Sequence, residues 1–144
     1  MIKFIIVLFV FSISSYAGLL KDIEFDDVVV DKITSVYDGD TFRANIKGYP
    51  KIVGYRMSVR ILGIDTPELK AKCKREKDLA INAKRLSTSL LMDGKLIELR
   101  NIKRGKYFRI LADVYVDGIS IGDELIRNNL ALEYDGGTKI DWCK

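Results

Sequence analysis

Apolar and polar positions along the chain predict three strands after an apolar N-terminus. The three segments are rich in β-branched and aromatic residues and are separated by turn-forming residues, which is typical of strands. They cover Asp27–Tyr37, Thr41–Ile46 and Met57–Ile64. An extended hairpin is predicted between the second and third strands, from the residues KGYPKIVGY.

The next segment has a helical period, and Asp93-Gly94 ends it. The apolar positions at helical spacing are Leu79, Ala83, Leu86 and Leu90. Two further strands are predicted at Lys95–Ile102 and Arg109–Val116, and a short helix is predicted at Ile121–Ala131.

These elements predict an α+β fold that is mainly β. Their order fits a five-stranded barrel of the OB type, with one helix between strands 3 and 4 and a second helix after strand 5. Ile110, Ala112, Val114 and Val116 occupy alternate positions of the last strand, so we expect them on its packed face. OB-type barrels commonly bind oligonucleotides, but a fold alone does not establish a function.

The N-terminus has the pattern of an export signal. Lys3 gives a positive start, the apolar run FIIVLFVFSI follows, and Ser15-Tyr16-Ala17 has the small residues of a cleavage position. We therefore expect residues 1–17 to be a signal peptide and residues 18–144 to form one domain without stable membrane association. An uncleaved anchor is the alternative, although the run is shorter than the roughly 20 residues that span a bilayer.

Composition excludes several kinds of chemistry. A length of 144 residues suits one domain, and a net charge of +4 allows an anionic partner without identifying it. The chain has no histidine, so it can form no Ser-His-Asp or Cys-His arrangement and no histidine-ligated zinc site. Acid, base or metal chemistry must therefore depend on Asp, Glu, Tyr, Lys, Arg or water.

Two cysteines, Cys73 and Cys143, could form an intrachain disulfide if the chain is exported. Such a bond would close a long loop and stabilise the fold by about 4 kcal/mol. Two unpaired thiols are the alternative.

Two acidic clusters carry the candidate chemistry. DGDT, residues 38–41, lies in the turn between the first two strands, and DTPE, residues 65–68, follows the third. Alone, the first could be a common hairpin turn or part of a calcium loop, and the second could be a helix start. Together, their carboxylates would repel unless one took up a proton or a cation lay between them. Hard oxygen ligands suit Ca²⁺, with Mg²⁺ as the smaller competitor.

Arg60 and Arg109 would add fixed positive charge that suits phosphate oxygens, so these groups together supply the parts of a phosphodiester-cleaving site. Strict alternation would place Arg60 and Asp65 on opposite faces of the third strand. A bulge or a strand end is therefore predicted between them, with Gly63 as the candidate position.

The chain resembles the staphylococcal nuclease (thermonuclease) family, an OB-barrel group of calcium-dependent nucleases. The resemblance runs from Ser35 to Ala131 and rests on the order and spacing of five short motifs. These are DGDT, RILGIDTPE, KYFR, the DG pair at Asp117-Gly118, and LIRNNLA. Each motif is weak alone, whereas the ordered set is specific. Export also agrees with a family that has many secreted members.

The resemblance implies a set of site residues. Asp40 and Asp65 would bind Ca²⁺ through their carboxylates, and Thr66 would add its backbone carbonyl. Arg60 and Arg109 would hold the scissile phosphate and stabilise its five-coordinate transition state.

Three more residues complete the implied site. Glu68 would be the general base that activates or orients the attacking water, which agrees with the absence of histidine. Lys106 and Tyr107 would contact the nucleotide. The implied substrate is nucleic acid, with DNA expected and RNA as a further candidate.

The chain departs from the family pattern in three places. Phe108 replaces the glycine of the usual KYGR motif, and the hairpin before Arg60 is a few residues longer. EYDGGTKIDWCK, residues 133–144, stands in place of a third helix, and Tyr134 is the candidate for a nucleotide-stacking tyrosine. Aromatic residues such as Tyr107 and Phe108 could stack on bases, although aromatics in small barrels more often belong to the core.

Three functional hypotheses follow. The first is an exported Ca²⁺-dependent nuclease, periplasmic or extracellular and expected to be a monomer. The second is a catalytically inactive OB-type module that binds single-stranded nucleic acid, and the third is an envelope protein that uses the acidic turns for calcium. The two aspartates, both arginines and the glutamate are all present, which favours the enzyme.

Overall fold

Five strands close into a mixed β-barrel in the computed structural model, which describes residues 25–144. The predicted signal peptide, residues 1–17, lies outside the described residues. The barrel strands are β1 (Val28–Val36), β2 (Thr41–Ile46), β3 (Met57–Ile61), β5 (Ile97–Arg104) and β6 (Ile110–Val116). Three two-residue strands lie outside the barrel pairing: β4 (Ile64–Asp65), β7 (Ile119–Ser120) and β8 (Leu132–Glu133). The helices are α1 (Lys51–Gly54), α2 (Lys74–Asp93) and α3 (Ile121–Arg127), with a 3₁₀ turn at Lys106–Phe108.

A parallel pairing closes the barrel. Antiparallel pairs join β3 to β2, β2 to β1, β1 to β5 and β5 to β6, and β3 then pairs in parallel with β6. This last pairing sets Arg60 opposite Leu111. The predicted OB-type barrel is confirmed, with its long helix in the connection that follows β4 and a second helix after β6.

The alternation predicted for β6 is confirmed. Ala112, Val114 and Val116 are buried, whereas Ile110 at the strand start is half-buried. Phe42, Val59, Leu99 and Leu125 are among the core side chains that solvent does not reach. Burial of each large apolar side chain contributes roughly 1.5–3 kcal/mol, so these positions hold the barrel together.

The predicted long helix is confirmed as α2, but its buried face is rotated from the expected stripe. The buried residues are Glu76, Ala80, Ala83, Ser87 and Leu91. Small side chains on this face let the helix approach the turn between β1 and β2, while Leu86 and Leu90 pack beside the core. Gly94 ends the helix, and its N–H donates to the Leu90 carbonyl.

Three local predictions need correction or refinement. The third strand ends at Ile61, and Gly63 adopts a positive φ of +77° before β4 begins, so the predicted strand end is confirmed. The KGYPKIVGY segment forms the short helix α1 rather than an extended hairpin. The last helix is shorter than predicted, because β8 follows it and pairs with β4.

Within residues 25–144 no helix is both long and apolar enough to cross a membrane.

Candidate active site

The turn between β1 and β2 carries two buried carboxylates into the interior. Asp38 accepts a hydrogen bond from the Asp40 N–H at 3.2 Å, and Thr41 donates its hydroxyl to Asp40 Oδ1 at 2.8 Å. Helix α2 supports this turn, since Ser87 donates its hydroxyl to the Gly39 carbonyl at 2.6 Å. Only 1% of Asp40 is exposed, so its orientation is fixed by these neighbours.

Arg60 joins the two acidic clusters. Its Nη1 lies 2.6 Å from Asp40 Oδ1, and its Nη2 lies 3.1 Å from Asp65 Oδ1. The turn at Gly63 makes the second contact possible, because it reverses the face on which Asp65 would otherwise lie. Thr66 also belongs to the cluster, since its N–H donates to Asp40 Oδ2 at 3.3 Å. Residues predicted as metal ligands and as a phosphate ligand therefore converge.

The cluster carries an excess of negative charge. Burial, followed by the charge of Asp40, raises the pKa of Asp38 to about 6. Asp40 and Asp65 are both almost fully buried, and the single guanidinium of Arg60 faces them together. Crowded carboxylates of this kind favour a bound cation, which would relieve their repulsion. The carboxylates of Asp40 and Asp65 are hard oxygen donors, so the residues present fit a hard divalent cation.

Glu68 lies at the exposed edge of this cluster and is paired with Lys139. The Lys139 ammonium contacts Glu68 Oε1 and also lies 3.3 Å from Asp65 Oδ1. Partial burial alone would lower the pKa of Lys139, but the hydrogen bond to Glu68 and the charges of both acids raise this pKa above its usual value. Lys139 was not predicted as a site residue, because no local motif marks a contact between residues so far apart in the sequence.

The segment 132–144, here called the C-terminal strap, holds Lys139 in this place. It begins with the pairing of β8 and β4, and the Tyr134 N–H donates to the Gly63 carbonyl at 2.8 Å. Its other end reaches α2, where the sulfur atoms of Cys73 and Cys143 are 2.22 Å apart, which is bonding distance. The expected pairing of these cysteines therefore agrees with the structure.

A wide groove of about 1030 Å³ opens beside Arg60. Its walls include Leu111 and Tyr115 of β6, Ile126 of α3, and Tyr134 and Thr138 of the C-terminal strap. Tyr134 therefore lines the same groove as Arg60, and its hydroxyl donates to the Gly137 carbonyl.

Arg109, Lys106 and Tyr107 lie outside the acidic cluster. Tyr107 is 94% exposed, and Lys106 is exposed beside it. Arg60 pairs with Leu111, and Arg109 lies two residues before Leu111 in the chain. The backbone of Arg109 is therefore displaced from that of Arg60 by roughly 7 Å along the strand direction. The Arg109 Nε is buried without a hydrogen-bond partner among the described residues. The structure therefore brings Asp40, Arg60, Asp65, Thr66 and Glu68 together but leaves these three residues apart.

Arg109 instead lines a second cavity of about 260 Å³, here called the aromatic groove. Its lining includes Phe25, Tyr49, Val53, Met57, Phe108 and Arg109. Tyr107 and Phe108, which precede Arg109, both have left-handed backbone angles, with φ of +57° and +60°. Such angles cost of order 1–3 kcal/mol in residues other than glycine, so the chain holds Phe108 over this groove at an energetic cost.

Comparisons with known proteins agree with this architecture. The family described as staphylococcal nuclease homologue matches residues 58–140. The SPbeta prophage-derived endonuclease YokF of Bacillus subtilis is 36% identical over 127 residues, covering 84% of this chain and 40% of the relative. Endonuclease YncB of the same organism is 35% identical over 96 residues, covering 65% of this chain and 43% of the relative. A probable endonuclease of Schizosaccharomyces pombe is 29% identical over 131 residues, covering 75% and 56%. The chain thus spans about half the length of these curated relatives, or less.

Proposed function

The chain belongs to the staphylococcal nuclease family, and from this premise we propose that it is a Ca²⁺-dependent nuclease that hydrolyses phosphodiester bonds of DNA, and of RNA as a further candidate. The observation that carries the proposal is the contact of Arg60 with both Asp40 and Asp65 at the edge of the wide groove. A phosphate that enters this groove would meet a guanidinium whose position is fixed by two buried carboxylates.

Asp40 and Asp65 would hold Ca²⁺ through their carboxylates, and Thr66 would hold it through its backbone carbonyl. The bound ion would supply a Lewis acid that offsets negative charge on the phosphate. The excess of carboxylates supports this assignment, because the cluster brings together the four acids Asp38, Asp40, Asp65 and Glu68, whereas only Arg60 and Lys139 offset their charge.

Arg60 and Glu68 would carry the chemistry of the chain itself. Arg60 would donate hydrogen bonds to phosphate oxygens and stabilise the charge that grows in the five-coordinate transition state. Glu68 would accept a proton from the attacking water once Lys139 has moved away from its carboxylate. The half-exposed side chain of Glu68 supports this role, since water reaches it.

Arg109, Lys106 and Tyr107 would act on the nucleotide from the neighbouring loop. The buried Arg109 Nε has no hydrogen-bond partner among the described residues, so the guanidinium retains capacity for a phosphate oxygen. Lys106 and Tyr107 are exposed on the same loop, where they would contact the sugar-phosphate backbone.

Export through the signal peptide at residues 1–17 is part of the proposal, with the periplasm or the extracellular space as the destination. The sulfurs of Cys73 and Cys143 at bonding distance support it, because disulfides persist mainly in oxidising compartments.

Digestion of single-stranded and duplex DNA by residues 18–144, with Ca²⁺ and with chelator, tests the proposed function. Glu68→Gln keeps the shape of the side chain but removes the base, and we expect it to lower the rate roughly a hundredfold or more. Glu124→Gln is the matched control, since Glu124 lies on α3 and pairs with Arg127. Folded protein that binds DNA without cleaving it would instead support the inactive binding module.

A further inference from the structure

The aromatic groove differs from the wide groove in its walls and its chemistry. One wall comes from the start of the described chain and from the α1 region, including Phe25, Tyr49 and Val53. The other comes from the end of β5 and the loop before β6, including Phe108 and Arg109. None of the described residues that line it is acidic.

Three aromatic rings face this groove while remaining accessible. Phe25, Tyr49 and Phe108 are between 41% and 54% exposed, although each is large and apolar. Exposed aromatic residues around a concave surface are characteristic of a binding site. A flat, apolar ligand that stacks on these rings would remove their exposed surface from water.

Positive charge surrounds the rings. Lys103, Arg104 and Arg109 all line the groove, and the guanidinium of Arg104 lies 5.1 Å from the centroid of the Phe108 ring. A ligand that suits both features has a planar ring attached to an anionic group. A nucleotide has this chemistry, because its base can stack while its phosphate meets the arginines.

The two walls of the groove contain features in which this chain departs from the resemblance pattern. Tyr49 and Val53 lie in the longer segment before Arg60, and Phe108 stands where the usual motif has glycine. The left-handed backbone of Phe108 is costly for a bulky residue, and a role of its ring in ligand binding would account for this cost.

We propose that the aromatic groove binds one nucleobase of a single-stranded nucleic acid, next to the phosphate that Arg109 holds. The inference rests on the proposed function for the identity of that phosphate. A base can enter the groove only when it is unstacked, so the site selects single strands or locally opened duplexes. Its lining is largely apolar, and the site therefore accepts different bases.

Binding in the presence of chelator tests the groove without cleavage. The probes are a labelled single-stranded oligothymidylate and an abasic oligomer of the same length, each titrated while fluorescence anisotropy is recorded. Tyr49→Ala should weaken binding of the oligothymidylate about tenfold, because one stacked base is lost, and should leave the abasic oligomer unaffected. Phe108→Gly should give the same pattern.

Tyr55→Ala is the matched control. Tyr55 lies in the same segment as Tyr49 and is similarly exposed, at 58% against 51%, but it does not line the groove. We expect it to bind both oligomers as the unmodified protein does. Thermal unfolding of each variant verifies that the fold is retained.

The outcomes separate this inference from the proposed function. Equal affinities of the Tyr49→Ala and Tyr55→Ala variants for the oligothymidylate would overturn the nucleobase site, even if the protein cleaves DNA with Ca²⁺. This result would also be expected if a peptide segment occupied the groove. A loss specific to Tyr49→Ala and to the base-bearing oligomer would support the site, even if no cleavage is detected.

Discussion

Gly39 shows how closely the acidic turn packs against α2. A Cβ atom added at this position would lie 2.7 Å from the Ala83 Cβ and 3.0 Å from the Thr66 Cγ2. Neither neighbour is the flexible end of a long side chain, so the turn or the helix would have to shift. The same turn positions Asp40, and its packing therefore bears on the geometry of the site as well as on stability.

We expect Gly39→Ala to lower the free energy of unfolding by roughly 1–3 kcal/mol, the usual cost of overpacking. Gly122→Ala is the control, because its added Cβ would meet its nearest neighbours at 3.7 Å, an ordinary contact. Urea unfolding followed by circular dichroism measures both. Equal stability of the two variants would show that the turn adapts without strain.

The C-terminal strap places a positive charge where the proposed cation would act. Lys139 contacts Glu68 and Asp65, and its contact with Asp65 would compete directly with the proposed metal binding. Lys144 lies on the same strap, is much more exposed, and has only a distant ion-pair contact with Asp141 at 3.8 Å. Comparing a substitution of Lys139 with the same substitution of Lys144 therefore separates an effect at the site from a general effect of charge.

Lys139→Met should raise the affinity for Ca²⁺ by roughly tenfold, because each partly exposed ion pair is worth up to about 1 kcal/mol and two are removed. Lys144→Met should leave that affinity within twofold. Calorimetric titration of Ca²⁺ into each protein, without nucleic acid, provides the comparison. Unchanged affinity in the Lys139→Met variant would mean that the ammonium stays beside Glu68 when the ion binds.

Elements were predicted more reliably than the contacts between them. The alternation in β6 and the apolar period of α2 are local patterns, and both elements are present. The pairing of Lys139 with Glu68 and the position of Arg109 depend on the path of the strap and on the left-handed loop before β6. Hydrophobic periodicity carries no information about either, so the sequence could not reveal them.

At the scale of the whole molecule, one bond closes a long loop. Cys73 precedes α2 and Cys143 lies near the end of the strap, with a sequence separation of 70 residues. This bond connects the strap to the helix that also supports the acidic turn. The even number of cysteines and the expected export predicted the disulfide pair, whereas the path of the chain between the two cysteines is known only from the fold.

Replacing both cysteines with serine should lower the free energy of unfolding by about 4 kcal/mol, because the unfolded chain is released from the closed loop. Urea unfolding with and without a thiol reductant measures this loss. Reductant should destabilise the unmodified protein and have no effect on the double variant. A protein insensitive to reductant would argue that the sulfurs are not bonded in solution.

The contacts of Arg60 also constrain how this site could be lost in evolution. Removing Arg60 first would leave two buried carboxylates without their shared partner, and breaking a buried ion pair in this way costs roughly 3–5 kcal/mol. Neutralising Asp40 or Asp65 first leaves Arg60 paired with the other. A lineage that abandons catalysis while keeping the barrel is therefore expected to lose an aspartate before it loses the arginine.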